Sequence, residues 1–186
     1  MKRFAWLCML VFLLAGCSSE NKPLERGLAF RSRLLSAQGC QFGVKITADY
    51  GDTLHVFSAD CRGDSSGALS FRVMEPETLS GISGTVSDTG GMLTFEDTAL
   101  SFPLLADDQL SPVSAPWIFL KTLRSGYLTS ACFEENLLRL TIDDSYEEDS
   151  LQLDIWMKED SVPVRADILY DGKRILSLEI ENFAFL

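Results

Sequence analysis

Histidine is almost missing from this chain: His55 stands alone among 186 residues. Any acid–base or nucleophilic mechanism that needs an imidazole must use it. Its obvious partner for a thiol site is Cys132, yet neither the spacing nor the flanking residues support that pair. Nothing in the sequence reads as G-x-S-x-G, H-E-x-x-H, a phosphate loop or a paired C-x-x-C. Gly81-Ile82-Ser83-Gly84 fits a strand entry or bulge better than a phosphate cradle. An enzyme is therefore not expected, and no catalytic residue, metal or dissociable cofactor is assigned. Basic residues are also scarce, 16 against 27 acidic ones, which gives a formal net charge of -11. That balance argues against nucleic acid as a partner and against electrostatic docking on anionic lipid, both themselves negative. Low-complexity tracts are absent, and after the first fourteen residues no second long apolar run follows.

That first run is the most informative feature present. Lys2 and Arg3 form a basic start, Phe4 to Leu14 an apolar stretch, and Ala15-Gly16 a small-residue cleavage site before Cys17. The stretch is too short to span a bilayer comfortably. Leu14-Ala15-Gly16-Cys17 resembles the processing box of bacterial lipoprotein signals at every position. The resemblance implies removal of residues 1–16, diacylglycerol on the Cys17 sulfur, palmitate-type acyl chains, and membrane attachment outside the cytoplasm. Two acyl chains suffice for durable anchoring where one is marginal. Residues 17–23 then form a short lipidated tether, and residues 24–186 a single domain of ordinary composition. Losing Lys2 and Arg3 takes the charge from -11 to -13.

Three cysteines remain in the domain. Outside the cytoplasm a disulfide is permitted, and Cys40 and Cys61 bracket a hairpin whose turn lies near Tyr50-Gly51-Asp52. A four-residue loop at Asp49 to Asp52 sets the two opposite each other; a three-residue loop sends them to opposite faces. The bridge depends on that register. Cys132, in an apolar stretch, is expected to be a buried small hydrophobe.

Leu24 to Gln38 has helical spacing, with Leu24, Gly27, Leu28, Phe30, Leu34, Leu35 and Ala37 on one broad face and Gly39 as the stop. From there to Pro103 the period falls to two, with turn residues every eight to twelve positions, as in a meander of short strands. Phe42, Val44, Ile46 and Ala48 alternate with polar neighbours. After the turn either Leu54, Val56 and Ser58 or the opposite phase His55, Phe57 and Ala59 faces inward. Leu69, Phe71 and Val73 follow, then Glu75-Pro76 breaks the ladder. Ile82, Val86, Leu93 and Phe95, then Leu100 and Phe102, supply three more short strands. Pro112 to Arg124 reads as a helix that is apolar on nearly every side and so needs cover on more than one face. Strands return at Tyr127 to Phe133, Leu137 to Ile142, Leu151 to Met157, Val164 to Tyr170 and Ile175 to Ile180, with a hairpin at Asp171-Gly172. The expected class is α+β: about eleven antiparallel strands in a strongly curved, half-open barrel, with helices covering the concave face.

The order helix, meander, apolar helix, meander resembles the lipoprotein-carrier fold of the LolA/LolB type. The words Phe71-Arg72-Val73-Met74-Glu75-Pro76-Glu77-Thr78-Leu79-Ser80-Gly81-Ile82 and Pro163-Val164-Arg165-Ala166-Asp167-Ile168-Leu169-Tyr170-Asp171-Gly172-Lys173-Arg174 are similar to clostridial members of that fold, the GerS-type sporulation and germination lipoproteins. The resemblance implies a half-barrel and a non-catalytic role at the cell envelope. Ser18 after the lipidated cysteine favours outer-membrane sorting in a two-membrane cell; the clostridial likeness points to the outer face of a single membrane or the spore envelope.

Two functions follow. One is a membrane-anchored interaction module for an envelope or spore-cortex protein, able also to form a homodimer. The other is a binder of lipid or lipoprotein acyl chains in a hollow lined by Trp117, Phe119, Leu123, Phe71, Phe95 and Trp156. The acidic cluster Asp143, Asp144, Glu147, Glu148 and Asp149 lacks Ca²⁺-loop spacing and reads as a solvated turn between strands.

Overall fold

The protein's structure is a computed structural model that describes residues 23–106, 109–147, 150–159 and 161–186. The signal and Cys17 lie outside the described residues, as do Asp107-Asp108 and Glu148-Asp149. Helix α1 (Pro23–Ser36) opens on a proline, carries Glu25 in its first turn and Arg33 in its last, and so suits the helix dipole at both ends. Strands β1 (Gly39–Asp49), β2 (Leu54–Asp64), β3 (Leu69–Glu75), β4 (Ser83–Ser87), β5 (Gly90–Phe95) and β6 (Thr98–Phe102) form the first meander. A two-residue pair, β7 (Leu105–Ala106) and β8 (Gln109–Leu110), leads to helix α2 (Ala115–Ser125). The second meander is β9 (Tyr127–Glu134), β10 (Leu137–Asp143), β11 (Leu151–Met157), β12 (Pro163–Tyr170) and β13 (Lys173–Phe185).

The two meanders join into one eleven-stranded antiparallel sheet in the order β6-β5-β4-β3-β2-β1-β13-β12-β11-β10-β9. First and last strands meet at its centre, and β6 and β9 are free edges, so the sheet is not closed. This is the expected α+β arrangement of a curved half-barrel with helices on one face. Asp171 and Gly172 both take positive φ, 48° and 69°, as a two-residue hairpin turn of this hand requires.

One face of the sheet is apolar and carries the helices. Phe42, Val44, Ile46 and Ala48 of β1 point to it, as do Leu153, Ile155 and Met157 of β11 and Leu176, Leu178 and Ile180 of β13. Helix α2 is buried at Trp117, Ile118, Phe119, Leu120 and Leu123, as its apolar girth demands. It also holds the β2–β3 turn: Trp117 Nε1 donates to the Gly67 carbonyl (3.0 Å), and Arg124 donates to the carbonyls of Asp64 (2.7 Å) and Ser65 (3.0 Å). Helix α1 lies against β9 and β10, where Gly27 leaves room for Leu140: a Cβ there would sit 2.7 Å from a Leu140 methyl.

One open alternative is settled, and several expectations are corrected. In β2 the inward phase is Phe57, Ala59 and Cys61, and Leu54 and Val56 are exposed. Of the broad α1 face only Gly27, Phe30 and Leu34 are buried, and Leu24, Leu28 and Leu35 are half exposed. Cys132 is exposed, because on the edge strand β9 it pairs with Arg139 and points to the outer face, while Leu128 and Ala131 take the side covered by the core. The β1–β2 loop is Tyr50 to Thr53, and the register pairs Cys40 with Gly63 and Phe42 with Cys61. The two cysteines therefore share the core face but stand two residues out of register, and both are free thiols, not a disulfide. Diagonal neighbours in a sheet lie about 7–8 Å apart, beyond ordinary bridge geometry.

Candidate functional site

The side chains expected to line a hollow do not form one. Trp117, Phe119, Leu123 and Phe71 come together in the core at 3%, 0%, 1% and 5% exposure. A cavity wide enough for an acyl chain would leave its walls touching space that water could occupy, and Phe119 and Leu123 touch almost none. Phe95 lies on β5 near the sheet edge and is 49% exposed. Trp156 points to the other face of β11, between the guanidinium carbons of Arg165 (4.5 Å from the ring centre) and Arg139 (5.2 Å).

Trp156 belongs to a polar cluster on that outer face. Asp154 and Asp167, both buried, are direct cross-strand partners on β11 and β12. Like charges so placed repel, and each is neutralised locally. Asp154 accepts from Arg139 (2.7 Å) and Thr141 (2.7 Å); Asp167 pairs with Arg165, accepts from Ser177 (2.6 Å) and lies 3.6 Å from Arg174. Arg139 also reaches Glu134 at 3.0 Å, and these carboxylates hold its guanidinium above its ordinary pKa against the opposing effect of burial. The carboxylates here are spent on their neighbours, so the cluster locks strands together.

The unsatisfied polar surface lies further along the same face. Across β1 to β5 the register stacks side chains into two rows that run perpendicular to the strands. Gln41, Arg62, Ser70, Thr85 and Met92 form one; Gly43, Asp60, Arg72, Ser83 and Thr94 form the other. These residues, with Asn182 of β13, line an open groove of about 720 Å³. A twisted sheet is saddle-shaped, so a face that is convex along one diagonal is concave along the other. Gly43 deepens the floor: a Cβ there would meet Asp60 and Glu181 only at ordinary contact, 3.8 Å. Neither guanidinium, Arg62 nor Arg72, has a hydrogen-bond or ion-pair partner among the described residues. Their donors face the groove beside the Asp60 carboxylate, which offers a binder both signs of charge. Sequence reasoning missed this site because it arises from register, and no local motif marks it.

His55 and Cys132 are not brought together. His55 is exposed on β2 beside the Tyr50 ring (6.3 Å between centres), and β9 lies six strands away across the sheet, about 29 Å at 4.8 Å per strand. Asp143 ends β10, and Asp144 to Glu147 belong to the turn region before β11, where the Asp144 carboxylate accepts the Leu151 amide at 2.8 Å. Among the described residues no three His, Cys, Asp or Glu side chains are grouped to hold a metal, and no helix is long and apolar enough to cross a membrane.

No protein-family model matches the chain, and no curated protein does. Solved structures of similar chain path include a conserved protein from Thermus thermophilus, at 9% identity over 89% of this chain and 88% of that one, with a TM-score of 0.48. They also include the lipoprotein LppX of Mycobacterium tuberculosis, at 12% identity over 87% and 92%, with a TM-score of 0.41. A LolA superfamily protein from Nitrosomonas europaea is similar at 6% identity over 86% of this chain and 93% of its own, with a TM-score of 0.44.

Proposed function

We propose that the protein is a lipid-anchored, extracytoplasmic interaction module that uses the polar groove over β1–β5 to hold a segment of an envelope protein. The observation that carries this reading is the pairing of a filled core with an open groove whose Arg62 and Arg72 donors have no partner within the described residues. The processing box ending at Cys17 supports the anchor and the address. No constellation for bond-making accompanies them. The groove suits an extended polypeptide: acceptors for two arginines, a donor for Asp60, and a small apolar contact at Met92. The likeness of Phe71–Ile82 and Pro163–Arg174 to germination lipoproteins makes a spore-cortex or germination protein the first partner to try. Acyl-chain binding in the core fits less well, because α2 would have to leave the sheet to admit a chain.

The test is site-specific photocrosslinking in intact envelopes of the full-length protein. A probe at Thr85 should give a discrete adduct that Thr47, on the same face but outside the groove, does not. The adduct should vanish in Gly43→Leu, which raises the floor from a Cβ that meets its neighbours only at ordinary contact, and weaken in Arg72→Ala. Equal adducts at both probe positions would remove the groove from the function.

A further inference from the structure

We propose that α1 is a membrane-contact helix, with Leu24, Leu28 and Leu35 resting in the headgroup–acyl boundary of the anionic bilayer that holds the anchor and Arg31 reaching a lipid phosphate between them. The inference rests on lipidation at Cys17 and goes beyond it by fixing which side of the domain faces the bilayer.

At 100° per residue the three leucines fall within roughly 40° of arc, beside the Gly27, Phe30 and Leu34 flank that packs on the domain. They are 50%, 48% and 54% exposed. Arg31 completes the same row, three residues after Leu28 and four before Leu35. One of its terminal nitrogens is buried yet has no hydrogen-bond partner among the described residues, and burial lowers the pKa of the group. Arg31 as a whole is half-buried, so its guanidinium can extend to a phosphate at an apolar boundary through the nitrogens that are not covered.

What covers the ridge follows from where the chain leads. Pro23 is the sixth residue after Cys17, and six extended residues reach only about 20 Å. The helix is 14 residues, about 21 Å long, so an anchored Cys17 keeps its first turn within about 20 Å of the lipid surface and lets the whole helix lie along it. Charge agrees. Helix α1 carries Arg26, Arg31 and Arg33 against Glu25, a local net of +2 in a protein of net -11. Arg26 and Arg33, on the opposite flank, lie over the Phe133 and Phe185 rings at 5.4 and 4.7 Å. Of these three arginines Arg31 alone lies on the ridge side, so one cation meets an anionic leaflet while the acidic remainder of the protein is repelled, which orients the domain. The groove, on the sheet face away from the helices, then stays open to a partner.

The experiment uses the full-length lipoprotein in phosphatidylglycerol–phosphatidylcholine vesicles that contain acyl-chain spin-labelled lipid. An environment-sensitive fluorophore is placed by Leu28→Cys on the ridge or by Ala29→Cys on the exposed side, each in a Cys132→Ser background; Cys40 and Cys61 are buried. The expected result is quenching about threefold stronger for the ridge probe, lost in Leu24→Asp/Leu35→Asp while the protein still sediments with the vesicles. Equal quenching of the two probes on sedimenting protein overturns the inference and leaves the anchor intact. A ridge probe that is blue-shifted but unquenched by lipid shows the ridge covered by a second copy or another segment of chain, and also overturns it. Protein that fails to sediment with vesicles defeats the anchor and the inference together.

Discussion

Burial sets the chemistry of individual side chains, and the domain's three cysteines show how far it reaches. The Cys40 thiol is pushed up from 9.0 to about 11 by burial, against smaller lowering effects of the Gly63 backbone and the Arg124 charge. Cys61 is pushed higher still, by burial first and then by the Asp60 charge and Cys40. At neutral pH both stay protonated and poor nucleophiles, so a thiol reagent should modify Cys132 quickly in the native protein and the other two only on unfolding. Three native thiols reacting at one rate would contradict the structure. The same shifts link stability to pH. A thiol that titrates at 9.0 unfolded and about 11 folded contributes in full below about pH 9 and is lost as pH climbs to about 11. Tyr50, also raised by burial, acts in the same direction. The melting temperature should therefore fall across that alkaline window, with a shallower slope in Cys40→Ala. On the outer face Asp154→Ala removes the buried acceptor of Arg139 and Thr141 and should cost about 3 kcal/mol in urea unfolding. None of this is legible in the sequence. Whether a cysteine in an apolar run is buried depends on which face of the sheet it points to, which no local pattern states.

Elements are more legible, for reasons that differ between them. Leu151 to Met157 can be read residue for residue because turns bound it on both sides. Helix α2 stands out because a helix apolar all round can only be a core element. The phase of β2 stays open because both alternations, Leu54-Val56 and Phe57-Ala59, are apolar, and only pairing with β1 and β3 chooses between them. Strand β13 runs five residues past Ile180 because its far end, through Phe185, pairs with the start of β1. Helix and sheet are then held by few polar links, and two substitutions test them. Trp117→Phe keeps a six-membered aromatic ring but loses the bond to the Gly67 carbonyl and part of the buried indole volume, and should cost about 2–3 kcal/mol. Gly39→Ala should cost about 3 kcal/mol, since its Cβ would lie 2.4 Å from the Gly63 carbonyl oxygen of the paired strand, where backbone has nowhere to move. Equilibrium unfolding of each variant measures both.

At the scale of the molecule, the pairing of first and last strands governs stability. The seam between β1 and β13 joins two meanders that would otherwise be separate sheets, and its inward residues Ile46, Ala48, Leu176 and Leu178 are fully buried. Cover declines away from it. Val86 of β4 is still buried, Leu93 of β5 is half covered, and Thr98 to Ser101 of β6 are exposed on both faces. Local opening follows buried contact, so amide exchange should be slowest at the seam, through Val44–Ala48 and Leu176–Ile180, and should quicken strand by strand toward β6. A β6 as protected as β1 in the purified protein would mean that something covers that edge, and the open half-barrel would then be wrong for the protein in solution. With a groove-bound partner the exchange map makes a second, sharper demand. The groove floor runs from β1 to β5, so an occupant that bridges its two rows must couple the loosely held β4 and β5 to the seam. Protection should then rise most at Ser83–Phe95 and little at β9–β12, which line no part of the groove. A partner that instead slowed exchange in β9 alone would be docking at the opposite edge, and the polar rows over β1–β5 would have to be explained as ordinary solvated surface.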